Sequence, residues 1–188
     1  MILLYIVFRG VSMKIFTITG LSKTGKTTTA EHIIARLVSL GYRVGSVKEI
    51  HYEAFAMDTP GSDTDRHAGA GAGLVTARGH NKTDILYKYK LPISRVIGLY
   101  REERYDYLVM EGVRDADVPM IVTGETEAEL DERFCDNVFA FAGKISSRLG
   151  EYRGLPVFDA RSQTDRLLGL LESTLERQKT GYSIDPQR

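Results

Sequence analysis

The feature that most constrains this chain is the run Gly20-Leu21-Ser22-Lys23-Thr24-Gly25-Lys26-Thr27. It follows Lys14-Ile15-Phe16-Thr17-Ile18-Thr19, a β-branched and aromatic stretch that reads as a buried central strand. After it, Ala30, Ile33, Ile34, Leu37 and Val38 recur at helical spacing, and Gly41 is a fitting stop. Strand, G-x-x-x-x-G-K-[ST] and helix in that order form a phosphate-binding loop. The glycines let the backbone curl so that its N–H groups converge on phosphate oxygens. The helix N-terminus adds donors and about half a positive charge. Gly20, Ser22, Lys23, Thr24 and Gly25 thus form the cradle. Lys26 is expected to bridge the β- and γ-phosphates, Thr27 to ligate Mg²⁺ and Thr28 to meet an α-phosphate.

Arg43 to Val47 reads as the next strand. Strand, helix, strand implies a parallel pairing and an α/β fold, a P-loop NTPase fold with a mostly parallel central sheet and helices on both faces. Further strands are expected at Leu74 to Ala77, Asp84 to Tyr89, Tyr105 to Met110, Val118 to Val122, Val138 to Ala142 and Pro156 to Phe158. Helices are expected at Thr64 to Ala70, after Pro92, after the capping box Thr126-Glu127-Ala128-Glu129 and from Gln163 to Arg177. Residues 48–62 read as a long polar loop. We expect one domain over 13–178, with Met13 as the start, 1–12 as an extension or else an extra edge strand, and 179–188 as a flexible tail.

Asp106-Tyr107-Leu108-Val109-Met110-Glu111-Gly112 is an apolar strand ending in an acid. In a parallel sheet such ends meet the phosphate site, so Glu111 is expected to act through Mg²⁺ or a bound water. Gly112 would let the chain pass close to the γ-phosphate. Arg114 suits either a phosphate contact or the surface. Asn81-Lys82-Thr83-Asp84 matches the guanine-reading N-K-x-D of many GTPases. Those motifs follow the acid-ended strand, whereas this one precedes it, so a turn between two strands is the reading we adopt. Gly143-Lys144, after the Val138–Ala142 strand, is the candidate for a base site.

Basic and acidic side chains balance at 25 each, so no general attraction to nucleic acid or to a membrane surface is expected. The apolar start, Met1 to Phe8, is far short of the about 20 residues that span a bilayer. Cys135 is the only cysteine, which excludes an internal disulfide and suits a reducing cytoplasm. It is expected to be an ordinary, partly buried residue.

Other stretches carry a family resemblance. Gly41-Tyr42-Arg43-Val44-Gly45-Ser46-Val47-Lys48, Asp58-Thr59-Pro60-Gly61-Ser62-Asp63-Thr64-Asp65-Arg66, Ala70-Gly71-Ala72 and Val109-Met110-Glu111-Gly112 resemble motifs of one group of P-loop GTPases. That group is molybdopterin-guanine dinucleotide biosynthesis protein B (MobB). The resemblance covers roughly 13–175 and is specific across 13–75 and 105–113. It implies a homodimer that binds GTP, in preference to ATP, with Mg²⁺ and hydrolyses it slowly. It implies a protein partner, the transferase that joins GMP to molybdopterin. It also implies that Lys48, His51, Asp58, Asp63 and Arg66 line the site near the phosphates. Asp63 would then join Lys26 and Glu111 in catalysis, and Asp58 would join Thr27 and Glu111 at the metal. The chain departs from the family at Lys48-Glu49-Ile50-His51-Tyr52, where only one histidine of the usual run remains, and at Ser62, where lysine is usual. The other classes compatible with the motifs are a P-loop small-molecule kinase and another metal-centre maturation GTPase. In a kinase, Glu111 would be the base, and the arginines of 148–153 would form a lid.

Overall fold

The structure, a computed structural model, describes residues 13–52 and 55–181. The expected extension 1–12 lies outside the described residues, as does the expected tail from 182 onward. By backbone contacts the chain divides into two compact units. One runs to Glu49 and resumes at Leu99; the other is Ile50–Gly98.

The first unit is built on a seven-stranded sheet. Its strands are β1 (Lys14–Gly20), β2 (Val44–Lys48), β5 (Tyr107–Glu111), β6 (Met120–Thr123), β7 (Val138–Ala142), β8 (Glu151–Tyr152) and β9 (Leu155–Phe158). They lie in the order β2-β5-β1-β6-β7-β9-β8. Every neighbouring pair is parallel except β8 with β9. The strand β1 therefore sits centrally, between β5 and β6, as its apolar run requires.

Each face of this sheet carries its own core, because successive strand residues point to opposite sides. On one side, Phe16 and Ile18 of β1 and Ala140 and Ala142 of β7 meet two helices, α1 (Lys26–Ser39) and α5 (Thr164–Gly181). Ala30, Ile33 and Leu37 supply the stripe of α1; Leu167, Leu168, Leu171 and Leu175 supply that of α5. On the other side, Val122 and Phe141 pack with Leu130 of α4 (Glu127–Asp131) and Ile145 of a 3₁₀ turn, Lys144–Ser147. The capping box at the start of α4 forms as expected: Thr126 accepts from the Glu129 N–H, and the Glu129 carboxylate accepts from the Thr126 N–H.

The second unit holds α2 (Asp63–Gly69) and a two-stranded antiparallel sheet of β3 (Leu74–Arg78) and β4 (Thr83–Tyr87). Asn81-Lys82 sits in the turn between these strands, where the Gly79 N–H donates to the Lys82 carbonyl over 2.9 Å. Then α3 (Ile93–Glu102) carries the chain back to the first unit. Two expectations need correction. The last helix does not stop at Arg177 but continues to Gly181. Cys135 is exposed rather than partly buried, because it lies on the turn that follows α4. Among the described residues, no helix is long and apolar enough to cross a membrane.

Candidate functional site

The loop after β1 is held open from below. Gly20 has φ 147°, and a Cβ there would come within 2.3 Å of the Thr123 carbonyl oxygen. Only glycine lets the loop leave the sheet this close to β6. Thr24 fixes the far side of the curl. Its hydroxyl donates to the Leu21 carbonyl at 2.9 Å and shares a 2.7 Å bond with the Thr123 hydroxyl. Gly143, at the end of β7, presses on the same loop: a Cβ on it would lie 2.3 Å from the Thr24 carbonyl oxygen. The strand ends β6 and β7 thus brace the loop, and Lys23 adopts a left-handed φ of 65° within it. That turns consecutive N–H groups to one side, the geometry of an anion nest.

The Lys26 ammonium lies inside this curl and donates to the Gly20 and Leu21 carbonyls. Burial pushes its pKa below the ordinary lysine value. The Glu111 carboxylate opposes that shift, while Lys48 and Arg133 add repulsion. The site is therefore rich in positive charge and suited to a polyanion.

Glu111, at the end of β5, has a largely buried side chain, only 11% exposed. The Thr27 hydroxyl donates to its Oε1 at 2.9 Å. The Lys48 ammonium, from the end of β2, lies 3.0 Å from the same Oε1 and 3.3 Å from the Thr27 Oγ1. A cation is thus held between the two oxygens expected to serve Mg²⁺, and this arrangement fits a hard cation with oxygen ligands. Among the described residues, no three His, Cys, Asp or Glu side chains are grouped to hold a metal unaided.

Of the residues singled out in the sequence, the structure brings together Gly20 through Thr28, Lys48 and Glu111. Gly112 turns at φ 81° and donates its N–H to the Ile18 carbonyl at 2.9 Å, which seats β5 against β1. Arg114 is exposed. Asp58, Asp63 and Arg66 belong to the Ile50–Gly98 unit and have local partners there. The Asp58 Oδ1 accepts from the Thr59 N–H and from the Ser62 and Thr64 hydroxyls. Asp63 and Arg66 form an exposed pair at 3.4 Å. Arg133 was not apparent in the sequence, because it follows a short acidic helix and belongs to no motif.

A cleft of about 340 Å³ adjoins the loop. Lys23, Gly25 and Thr28 line one side, Gly143 and Ser146 another, and Asp159 to Arg161, after β9, the third. The Gly143-Lys144 candidate therefore does lie beside the phosphate loop. Asp159 and its neighbours had no signal in the sequence.

With this geometry in place, the likeness to known proteins has a structural basis. The family model for molybdopterin guanine dinucleotide synthesis protein B, MobB, matches residues 15–144. The probable molybdopterin-guanine dinucleotide biosynthesis adapter protein of Bacillus subtilis (strain 168) is 29% identical over 147 residues, 78% of this chain and 85% of that protein. The molybdopterin-guanine dinucleotide biosynthesis adapter protein of Haemophilus influenzae is 27% identical over 134 residues, 68% of this chain and 75% of that one. The crystal structure of Bacillus subtilis MobB superposes with a TM-score of 0.73 at 25% identity, covering 84% of this chain and 98% of that one. A MobB homologue from Bacillus stearothermophilus shares the fold, with a TM-score of 0.65 at 22% identity over 86% of this chain and 97% of that one. The matched region contains the phosphate loop, the ends of β2 and β5 and the whole Ile50–Gly98 unit, and by that match this chain belongs to the MobB family.

Proposed function

We propose that this protein binds GTP with Mg²⁺, hydrolyses it slowly, and assists the transferase that joins GMP to molybdopterin. The observation that carries the reading is the Thr27–Glu111–Lys48 cluster beside a complete phosphate loop. The names of its relatives, biosynthesis adapter proteins, support the assisting role.

In this reading the curl from Gly20 to Thr27 binds the β- and γ-phosphates, and Lys26 leaves its carbonyl partners to neutralise them. Thr27 and Glu111 hold Mg²⁺, which supplies charge neutralisation of the phosphate oxygens when bound. Glu111, close to that point, orients the attacking water. Lys48 moves off Glu111 onto a phosphate. Asp58, Asp63 and Arg66 act at the same triphosphate, Asp58 toward the metal and Asp63 in catalysis. The protein works as a homodimer, and the exposed Leu74, Ile85 and Tyr89 of the Ile50–Gly98 unit support an association surface there.

The kinase reading is weaker. Its lid arginines are already engaged: Arg148 donates to the Glu125 carbonyl, and Arg153 pairs with Asp131 at 2.7 Å. The test is to titrate GTP and ATP in Mg²⁺, then follow phosphate release with and without a molybdopterin guanylyltransferase. Tighter GTP binding and slow release that the transferase alters are expected. Preference for ATP, with phosphate passed to a small acceptor, would overturn the reading.

A further inference from the structure

The cleft beside the phosphate loop begins at Thr28, where an α-phosphate would lie, and ends at the loop after β9. Its volume, about 340 Å³, is at the small end of ligand sites and sufficient for a nucleoside. A nucleotide whose phosphates occupy the loop would therefore lay its sugar and base along it. Two charged side chains of its lining, Lys144 and Asp159, differ in what they offer a base. Lys144 has its ammonium tied to Glu125 at 2.9 Å, so its charge is already engaged. Asp159 is partly buried and fixed in place. Its Oδ1 accepts from the Arg161 N–H at 3.1 Å and its Oδ2 from the Ser162 hydroxyl at 2.8 Å. The Asp159 N–H in turn donates to the Gln163 side chain at 3.0 Å. An ionised carboxylate has about four lone-pair sites, so both oxygens keep room for a further donor.

The geometry points to Asp159 as the residue that reads the base, making this cleft a guanine site. The inference rests on the proposed triphosphate reading and adds to it the basis of selectivity. Guanine presents two adjacent donors, N1–H and the N2 amino group, to which a carboxylate can accept twice. Adenine presents an acceptor, N1, beside one amino group. A carboxylate facing that edge would meet a lone pair with a lone pair. The same chemistry explains how the chain reads guanine while its only N-K-x-D lies in the β3–β4 turn: the acid comes from the end of β9 instead. The Arg161 N–H and the Ser162 hydroxyl hold the carboxyl below the usual aspartate range, so it remains an acceptor throughout the working pH range.

The test is binding of GDP, ADP and xanthosine diphosphate, in Mg²⁺, to the full chain and to Asp159→Asn. In the variant the amide oxygen still accepts from N1–H, while the amide N–H₂ now opposes the guanine N2 amino group. Xanthine carries a carbonyl oxygen at C2, which that amide can satisfy. Loss of GDP affinity on the order of 10- to 100-fold is expected, with a gain for xanthosine diphosphate and little change for ADP. A gain of affinity cannot come from misfolding, so it separates base reading from a role in holding the β9–α5 loop. Unchanged GDP binding, or equal loss for all three nucleotides, would overturn the inference and leave the phosphate site intact. If the unmodified chain binds none of them and Lys26→Ala changes nothing, the triphosphate reading fails, and this inference with it.

Discussion

The two units of this chain are held together in different ways. In the first, β5 and β7 are buried from end to end, and large side chains such as Phe16, Ile33 and Phe141 are almost wholly removed from water. In the second, α2 has no buried residue, and of β3 and β4 only Val75 is buried. Its order rests on polar bonds such as those to Asp58 and on one antiparallel ladder. The residues of the candidate site, Gly20 through Thr28, Lys48 and Glu111, all stand on the first kind of scaffold. In the second, with so little apolar burial, local opening costs little.

The sharpest way to break this comparison is to truncate one side chain in each unit. Phe16→Ala removes a fully buried ring from the core between β1, α1 and α5, and should cost about 3–5 kcal/mol in urea unfolding. Ile85→Ala, 57% exposed on β4, should change stability by no more than about 0.5 kcal/mol. Similar losses for both would show that the second unit has a packed interior after all.

The contrast also sets how much could be read in advance. The core strand Val138–Ala142 and the β1–loop–α1 unit were legible to within a residue, because burial on both faces leaves a continuous apolar run. The partner of a strand was not legible. Leu74 to Ala77 and Asp84 to Tyr89 read as strands with a turn at Asn81-Lys82 between them, but nothing in those residues says that they form a sheet apart from the seven-stranded one. The two-residue β8 has no period to detect. At the site, Lys26 and Thr27 were visible because their spacing is local. The contact of Lys48 with Glu111, 63 residues apart, arises only because β2 and β5 are neighbours in register, Lys48 opposite Glu111. Asp159 stayed hidden for the same reason: it comes to line one cleft with the phosphate loop through the strand order and not through the sequence.

Lys26→Ala tests the rigid unit at its functional end. The variant should keep its circular dichroism spectrum and lose GTP affinity by roughly 100-fold or more, since a charge-assisted contact to two phosphates is removed. Full retention of binding would show that the curl from Gly20 to Thr27 is not the phosphate site.

Lys48→Met tests the joint between the two modes. Lys48 is the last residue of β2, just before the second unit begins, and its ammonium sits on the oxygens of Glu111 and Thr27. Removing it should let Mg²⁺ reach those oxygens more easily. With GDP bound, the Mg²⁺ concentration for half-saturation should fall by roughly two- to fivefold, because the ion pair is half-exposed on the lysine side. A rise instead would mean that Lys48 serves the phosphates even without a γ-phosphate.

The smallest effect belongs to Asp58. Desolvation acts to raise its pKa, but the Thr64 and Ser62 hydroxyls and the Thr59 N–H outweigh it, and Lys88 adds attraction, so the net shift is downward from 3.8. A carboxylate whose folded pKa is depressed stabilises the folded state above its unfolded pKa and loses that contribution as pH falls through the folded value. Hydrogen exchange over 58–66 should therefore show constant protection from neutral pH down to about 4, once corrected for intrinsic rates, and lose it below. The loss should be modest, since the group is solvated. The buried strands of the first unit should keep their protection through the same window. Protection that falls in both units together would mean that the second unit opens only with the first, and the two could no longer be treated as separately stabilised.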